Sequence, residues 1–122
     1  FEDFVATQML KGSRLPKNTE TFDFYDKKTG IATSVKTLDT RTNAKVKDPK
    51  QIYKSMKKNI DVVVNFKEAG KGENIITSSM ISQREVRIAV PKATTPEQWE
   101  QINRAIAYGA DKNVNVKITV VK

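Results

Sequence analysis

The last third of the sequence contains the pattern that most constrains the fold, a strand, a helix and a strand in succession. Alternating aliphatic residues over 86–90 predict a strand that ends at Pro91. Thr95–Gln98 has the composition of a capping box with proline in the first turn, and Val114–Val120 alternates again. Elements in this order and at this spacing form a right-handed β-α-β unit with parallel strands. The apolar face of the helix is predicted to contain Trp99, Ile102, Ile106 and Ala110.

A β-hairpin is predicted in the first third of the chain. Side chains alternate between the two faces of a strand, so the segment Thr21–Tyr25 places its two phenylalanines on one face. Asp26–Gly30 has the composition of a hairpin loop, and Ile31–Leu38 forms the return strand. An amphipathic helix over residues 1–10 precedes the hairpin. The predicted fold class is therefore α/β, a mixed β-sheet with flanking helices.

Two further elements are predicted between the hairpin and the β-α-β unit. Asp48 is expected to cap a helix whose first position is Pro49. Residues 66–81 contain a glycine turn followed by Asn74–Ile81, which is rich in β-branched residues, and predict a protruding second hairpin. No repeat or shift in composition divides the chain, so residues 1–122 are expected to form one domain of a longer protein. No apolar run approaches the roughly 20 residues that cross a bilayer.

The sequence contains no cysteine and no histidine. Disulfides, thiol catalysis and thiolate metal sites are therefore excluded. Serine and cysteine triads, histidine-based ribonucleases and most zinc hydrolases also require an imidazole that this chain cannot supply. Any catalysis must use carboxylates, lysines, hydroxyls and a bound metal.

The net charge points to a polyanionic partner. With 22 basic and 14 acidic residues the formal charge is +8, and nucleic acid is the simplest partner for a small domain of this charge. Lysines recur at helical spacing on the side of the middle helix opposite its apolar residues. This lysine stripe is predicted to contact phosphates, although a solvated helix face would look the same. Its residues are Lys47, Lys50, Lys54, Lys57 and Lys58.

Four residues could form a catalytic constellation without histidine. Asp23 lies on one strand of the first hairpin, while Ser34 and Lys36 share a face of the other strand. Glu2 on the preceding helix could supply a second carboxylate. Two carboxylates can hold a divalent cation that polarises a phosphoryl oxygen, and a lysine can orient water or offset developing charge. A surface hairpin with incidental charges has the same spacing.

Four segments of the amino-acid sequence closely resemble the C-terminal toxin domains of contact-dependent growth inhibition (CDI) proteins. These proteins are very large effectors of Gram-negative bacteria. The resemblance covers essentially the whole chain. It is carried by GSRLPKNTETFDFYDKKTGIATSVKTLDT, QIYKSMKKNID, SSMISQREVRIAVP and TTPEQWEQINRAIAYG. Such domains have a PD-(D/E)XK nuclease core, are delivered into the cytoplasm of neighbouring bacteria and are neutralised in the producer by a cognate immunity protein.

The resemblance implies roles for the four residues of the constellation. Glu2 and Asp23 correspond to metal-binding acids, and Lys36 corresponds to the catalytic lysine. Ser34 occupies the place of the usual acid of the second strand, which favours one cation with more water ligands over a two-metal site. The main-chain carbonyl of Val35 is a further candidate ligand. The metal implied by resemblance is zinc, whereas oxygen-only ligation suits magnesium or manganese.

The resemblance also implies a substrate and a partner. It favours DNA, with tRNA cleavage on the same fold and a non-catalytic nucleic-acid-binding module as alternatives. The toxin is expected to be monomeric and to bind an acidic surface of its immunity protein by adding strands of the 66–81 hairpin to a sheet edge of that partner. An ordinary buried strand at this place is the alternative. The predicted contact residues are Lys67, Lys71, Asn74, Ile75, Ile76 and Thr77.

Overall fold

The structure is a computed structural model that describes Leu15 and residues 21–69 and 75–121. Its elements in chain order are β1 (Phe24–Asp26), β2 (Ile31–Thr37), α1 (Asn43–Lys47), α2 (Lys50–Val64), β3 (Glu68–Ala69), β4 (Ile76–Thr77), a 3₁₀ turn (Ser78–Met80), β5 (Gln83–Pro91), α3 (Pro96–Asp111) and β6 (Val114–Val121). Within these ranges no helix is both long enough and apolar enough to cross a membrane.

The main sheet has four strands in the order β1-β2-β5-β6. β1 pairs antiparallel with β2, and β5 pairs parallel with β6, as the hairpin and the β-α-β unit predict. β2 also pairs parallel with β5, with Thr33 opposite Glu85 and Ser34 opposite Val86. This central pairing joins the two predicted units into one mixed sheet. It was not predicted, because the long segment between β2 and β5 hides their adjacency.

One hydrophobic core lies between the sheet and the two long helices. α2 and α3 pack against each other; α2 contacts the parallel strands β5 and β6, and α3 contacts β6. Each fully buried aliphatic side chain contributes roughly 1.5–3 kcal/mol, so this layer is the main source of stability. The core side chains of these four elements are Ile52, Met56, Ile60, Val63, Val86, Ile88, Val90, Ile102, Ala105, Val114 and Val116. Ala110, which was predicted to lie on the apolar face of α3, is exposed.

Gly109 lets α3 pack closely on β6. A Cβ atom there would lie 2.8 Å from Cγ2 of Val116 and 3.1 Å from the carbonyl oxygen of Val114. Contacts this short cannot be accommodated without a shift of β6, because one of the two atoms belongs to the main chain. The glycine therefore serves the helix–sheet contact, and α3 continues beyond it to Asp111.

The predicted strand Thr21–Tyr25 is wrong in its bounds and in its face assignment. β1 comprises only Phe24–Asp26. Thr21 has a positive φ of 72°, so the regular alternation of a strand cannot begin there. Phe22 consequently packs in the core against Phe66, with ring centroids 4.8 Å apart, whereas Phe24 is buried outside that core cluster. The predicted loop is confirmed, with Gly30 at a φ of 76°.

Within the described residues the second hairpin is present, and its return strand ends earlier than predicted. Glu68–Ala69 pairs antiparallel with Ile76–Thr77 in a separate two-stranded sheet. The predicted strand Asn74–Ile81 is wrong beyond Thr77, because the 3₁₀ turn Ser78–Met80 follows directly. Tyr25 stabilises this turn from β1 by donating its hydroxyl to the carbonyl oxygen of Met80 at 2.7 Å.

Both ends of α2 are satisfied by side chains outside it. The helix begins at Lys50 after Pro49, so the predicted start is one residue early, but the Asp48 carboxylate still accepts the Lys50 N–H at 3.2 Å. At the other end, the Arg84 guanidinium donates to the carbonyl oxygens of Val63 and Val64, the second at 2.6 Å. Arg84 therefore attaches the carboxyl end of α2 to β5.

Candidate active site

Asp23 is attached to the edge of β2 through its main chain and its side chain. β1 accompanies β2 only as far as the pair Phe24–Thr33. Just beyond it, the Asp23 N–H donates to the Thr33 carbonyl oxygen at 2.8 Å. The Asp23 carboxylate then accepts the Val35 N–H at 2.8 Å. The carboxylate therefore lies against the main chain of the Ser34–Lys36 segment, and the convergence of the three side chains on one patch stays a prediction.

Ser34 and Lys36 lie where β2 leaves the core. They pair with Val86 and Ile88, two core residues of β5, so both side chains belong to the helix-side face of the sheet. Ser34 is only 1% exposed, whereas Lys36 is exposed. The strand thus carries a buried hydroxyl and, two residues later, a lysine side chain that is exposed to solvent.

The donor atoms at this point of the sheet suit an oxygen-liganded cation. They comprise the Asp23 carboxylate, the Ser34 hydroxyl and the main-chain carbonyl of Val35. Residues 21–69 and 75–121 hold no group of three carboxylates able to enclose a metal by themselves, and Glu2 lies outside the described residues. Hard oxygen donors match a divalent cation such as magnesium or manganese.

A buried charge cluster on the other face of the sheet was missed by sequence reasoning. Glu85 on β5 is 3% exposed and accepts from Arg87 Nε at 2.6 Å and from the Thr33 hydroxyl at 3.2 Å. Lys117 Nζ on β6 lies 3.2 Å from its other oxygen. We call Thr33, Glu85, Arg87 and Lys117 the Glu85 cluster. Glu85 and Arg87, two residues apart in a strand, were a signal that they share a face.

The Glu85 carboxyl is held in its ionised form. Burial raises its pKa, but the hydrogen bonds from Arg87 and Lys117 outweigh burial, so the pKa of Glu85 lies below its ordinary value. Glu85 is therefore a carboxylate at neutral pH, and its negative charge is balanced by two cations. In the part of the chain that the structure describes, no side-chain polar atom is buried without a hydrogen bond.

The lysine stripe is divided by an internal ion pair. Lys50, Lys54 and Lys58 are exposed along α2. Lys57 instead contacts Asp61 at 2.8 Å, and the hydrogen bond between them lowers the pKa of Asp61 and raises the pKa of Lys57. The Tyr108 hydroxyl on α3 also donates to Asp61. The charge of Lys57 is thus partly neutralised, so it is the weakest candidate for phosphate contact on this helix.

Lys47, the remaining residue of the stripe, lies on α1. Gln98 on α3 binds the main chain at and just before α1. The buried amide of Gln98 donates to the carbonyl oxygens of Thr40 at 2.7 Å and Lys45 at 3.3 Å. Its oxygen accepts the Thr95 N–H at 2.9 Å, which confirms the predicted capping box. Sequence reasoning assigned Gln98 only the capping role. The structure shows that it also orders the segment that carries Lys47.

The predicted immunity-contact residues differ in their accessibility. Lys67 and Ile75 are exposed, and Thr77 is half-buried. Ile76 is 3% exposed and belongs to the core, so it holds the hairpin onto the domain and leaves only its main chain for a partner. Lys71 and Asn74 lie outside the described residues.

Comparisons with known proteins agree over nearly the whole chain. The family model described as "CDI toxin restriction endonuclease-like domain" matches residues 1–119. Two curated proteins are each 49% identical to this chain over 122 residues. They are "Deoxyribonuclease CdiA" of Yersinia pseudotuberculosis serotype O:3 (strain YPIII) and "Deoxyribonuclease CdiA-o11" of Escherichia coli O157:H7 (strain EC869). The chain spans 11% and 32% of the length of these two proteins, respectively.

A solved structure resembles this chain over nearly its whole length. It is described as "CdiA-CT/CdiI toxin and immunity complex from Yersinia pseudotuberculosis" and is 50% identical in sequence. The superposition covers 99% of this chain and 98% of the other, with a TM-score of 0.90. At this identity and coverage, the two chains share one fold.

Proposed function

The chain belongs to the family of CDI toxin restriction endonuclease-like domains, and on this premise we propose that it is a metal-dependent endonuclease that cleaves DNA. The family confirms the predicted α/β fold with a PD-(D/E)XK-like core. Two relatives of this chain are named deoxyribonucleases, which supports DNA over tRNA as the substrate. The observation that carries the proposal is the hydrogen bond from the Val35 N–H to the Asp23 carboxylate, because Val35 lies between Ser34 and Lys36 in the chain.

The residues at this site have separate roles in the proposed reaction. A divalent cation bound by Asp23 and Glu2 would supply Lewis-acid polarisation of a phosphoryl oxygen. The Val35 N–H holds the Asp23 carboxylate in place. The Lys36 ammonium orients the attacking water or offsets the charge that develops on the phosphate. Ser34, in place of an acid, leaves the site with less negative charge and favours a single cation. The family resemblance favours zinc as the bound metal, whereas the oxygen donors suit magnesium or manganese.

The biological role we propose is that of a toxin domain in competition between bacteria. Residues 1–122 would form one domain of a larger effector on the surface of a Gram-negative cell, delivered into the cytoplasm of a target cell. A cognate immunity protein would neutralise the toxin in the producer. The similarity to a toxin solved together with its immunity protein supports this partner.

We expect Asp23→Ala to abolish cleavage of plasmid DNA while the fold is retained, because the variant lacks the carboxylate that holds the cation. Purified protein is incubated with plasmid and with total tRNA, each with and without EDTA. Wild-type protein should cut plasmid only in the absence of EDTA. Asp111→Ala, which removes an exposed carboxylate at the end of α3, is the charge-matched control and should remain active.

Two outcomes would redirect the proposal. Metal-dependent cleavage of tRNA but not plasmid would favour the tRNA-cleaving alternative on the same fold. Unchanged or tighter nucleic-acid binding by Asp23→Ala, with no cleavage by the wild type or the variant, would indicate a non-catalytic binding module.

The lysine stripe should account for part of the salt dependence of DNA binding. Each phosphate contact contributes roughly −0.9 to the slope of log K against log salt on duplex DNA. In the Asp23→Ala background, replacing Lys50, Lys54 and Lys58 with glutamine should flatten this slope by roughly 0.9 for each phosphate that the variant no longer binds. Lys57→Gln should change it less, because Asp61 already neutralises that lysine.

Fluorescence anisotropy with a labelled duplex at several salt concentrations measures the slope. Lys28→Gln, in the exposed turn between β1 and β2, removes one positive charge from another surface and is the control matched to the single variant Lys57→Gln. An unchanged slope in the triple variant would show that the stripe is a solvated helix face.

A further inference from the structure

The position of Asp23 depends on the main chain of β2. Its N–H is bound by the Thr33 carbonyl oxygen and its carboxylate by the Val35 N–H, both at 2.8 Å. These two groups flank Ser34 and belong to the backbone. Any displacement of β2 at residues 33–35 therefore displaces the carboxylate as well.

The other side of this backbone segment is held by the Glu85 cluster. The Thr33 side chain is 1% exposed and its hydroxyl donates to Glu85 Oε1 at 3.2 Å. The two residues are directly paired in the ladder between β2 and β5. Glu85 is in turn fixed by Arg87 on its own strand and by Lys117 on β6, so the cluster spans three strands.

Stability alone does not account for a carboxylate at this place. Desolvation of a buried ion offsets most of the attraction to its partners, and well-packed apolar residues in the same volume are often as stable. A network of directed hydrogen bonds, in contrast, selects one arrangement of the strands that carry it. The Glu85 cluster binds the side chain of Thr33, which lies in the segment of β2 that contacts Asp23.

We propose that Glu85 is a positioning residue that fixes the Asp23 carboxylate through Thr33. Glu85 holds the Thr33 side chain, and Thr33 holds the Asp23 main chain from its carbonyl oxygen. The inference rests on the proposed function only in assigning Asp23 to the metal.

Amide hydrogen exchange measured by NMR, without metal or DNA, tests this connection directly. Thr33→Val keeps the shape of the side chain and removes its hydroxyl. We expect exchange at the Asp23 and Val35 amides to accelerate about tenfold, the effect of losing one hydrogen bond of ordinary strength. Glu85→Leu should act in the same way. Thr33→Ser and Glu85→Gln keep a donor and an acceptor for this contact and should exchange as wild type does.

Lys117→Met is the matched control, since it removes one ion pair from Glu85 and leaves Thr33 bound. Its Asp23 and Val35 amides should exchange at the wild-type rate. Equal acceleration in Lys117→Met and Thr33→Val would overturn the proposal and make the cluster a general brace of the sheet. Unchanged exchange at both amides in Thr33→Val would overturn it as well.

A second measurement separates this proposal from the proposed function. Mn²⁺ titrations followed by EPR should show about tenfold weaker binding in Thr33→Val and unchanged binding in Thr33→Ser, consistent with one misplaced ligand. In cleavage assays kcat should fall while KM for DNA stays constant. Wild-type protein that cuts no DNA would defeat the proposed function, and the exchange data would still decide whether Glu85 positions Asp23. Equal Mn²⁺ affinity in wild type, Thr33→Val and Asp23→Ala would defeat the assignment of Asp23 to the metal, whereas weak binding by Asp23→Ala together with unchanged binding by Thr33→Val would overturn the positioning role.

Discussion

Replacing Lys36 with alanine should reduce DNA cleavage by roughly 10²–10⁴-fold and leave divalent metal binding unchanged, the range found when one charge-stabilising or proton-handling group is removed. Lys36 follows the Asp23–Val35 contact by one residue and is exposed where β2 leaves the core. We propose that its ammonium serves the water or the phosphate. It cannot serve as a ligand while it carries a proton.

Two measurements on the same protein check this expectation. Relaxation and linearisation of supercoiled plasmid report cleavage, and Mn²⁺ titrations followed by EPR report metal binding. Lys36→Arg keeps the positive charge and should retain more activity than Lys36→Ala, whereas Lys28→Ala in the β1–β2 turn should behave as wild type. Near-wild-type turnover in Lys36→Ala would contradict the catalytic assignment.

Shortening the second hairpin should abolish tight binding of the immunity protein and leave DNA cleavage intact. The strands Glu68–Ala69 and Ile76–Thr77 form a two-stranded sheet separate from the main one. Main-chain groups at a sheet edge can pair with a strand of another protein, and exposed side chains such as Lys67 and Ile75 then add specificity.

The deletion can be designed around the anchors of the hairpin. Phe66 and Ile76 are buried in the core and are retained, whereas residues 70–73 are removed. We expect affinity for the cognate immunity protein, measured by calorimetry, to fall at least about 100-fold, which corresponds to about 2.8 kcal/mol. Val62→Ser, an exposed apolar residue on α2, is the control and should bind normally. Tight binding by the shortened protein would show that the immunity protein docks elsewhere.

Most elements of this fold could be predicted because they follow from patterns within a few residues. The alternating strand over Val114–Val120, the capping box at Thr95 and the glycine loop before Ile31 each contain their own signal. The parallel pairing of β2 with β5 has no such signal. It depends on long-range contacts, because β2 pairs with β5 and α2 packs on β5 only when segments far apart in the sequence come together.

The candidate site divides in the same way. Residue types and spacing made Asp23, Ser34 and Lys36 candidates, since any β-strand places Ser34 and Lys36 on one face, but an incidental surface hairpin had the same spacing and the family resemblance supplied their roles. The attachment of Asp23 to the Val35 N–H depends on β1 starting only at Phe24, after the left-handed Thr21, which local propensity did not predict.

Glu85 shows most clearly what only the tertiary structure decided. In the sequence it is one acid among fourteen, within an alternating strand. It becomes a buried carboxylate between Thr33 and Lys117 because β2 and β6 pair on either side of β5. Local sequence determines which face of a strand a residue occupies, since that depends only on backbone geometry. What lies opposite the residue depends on contacts between distant segments, and these form only when the whole core is packed.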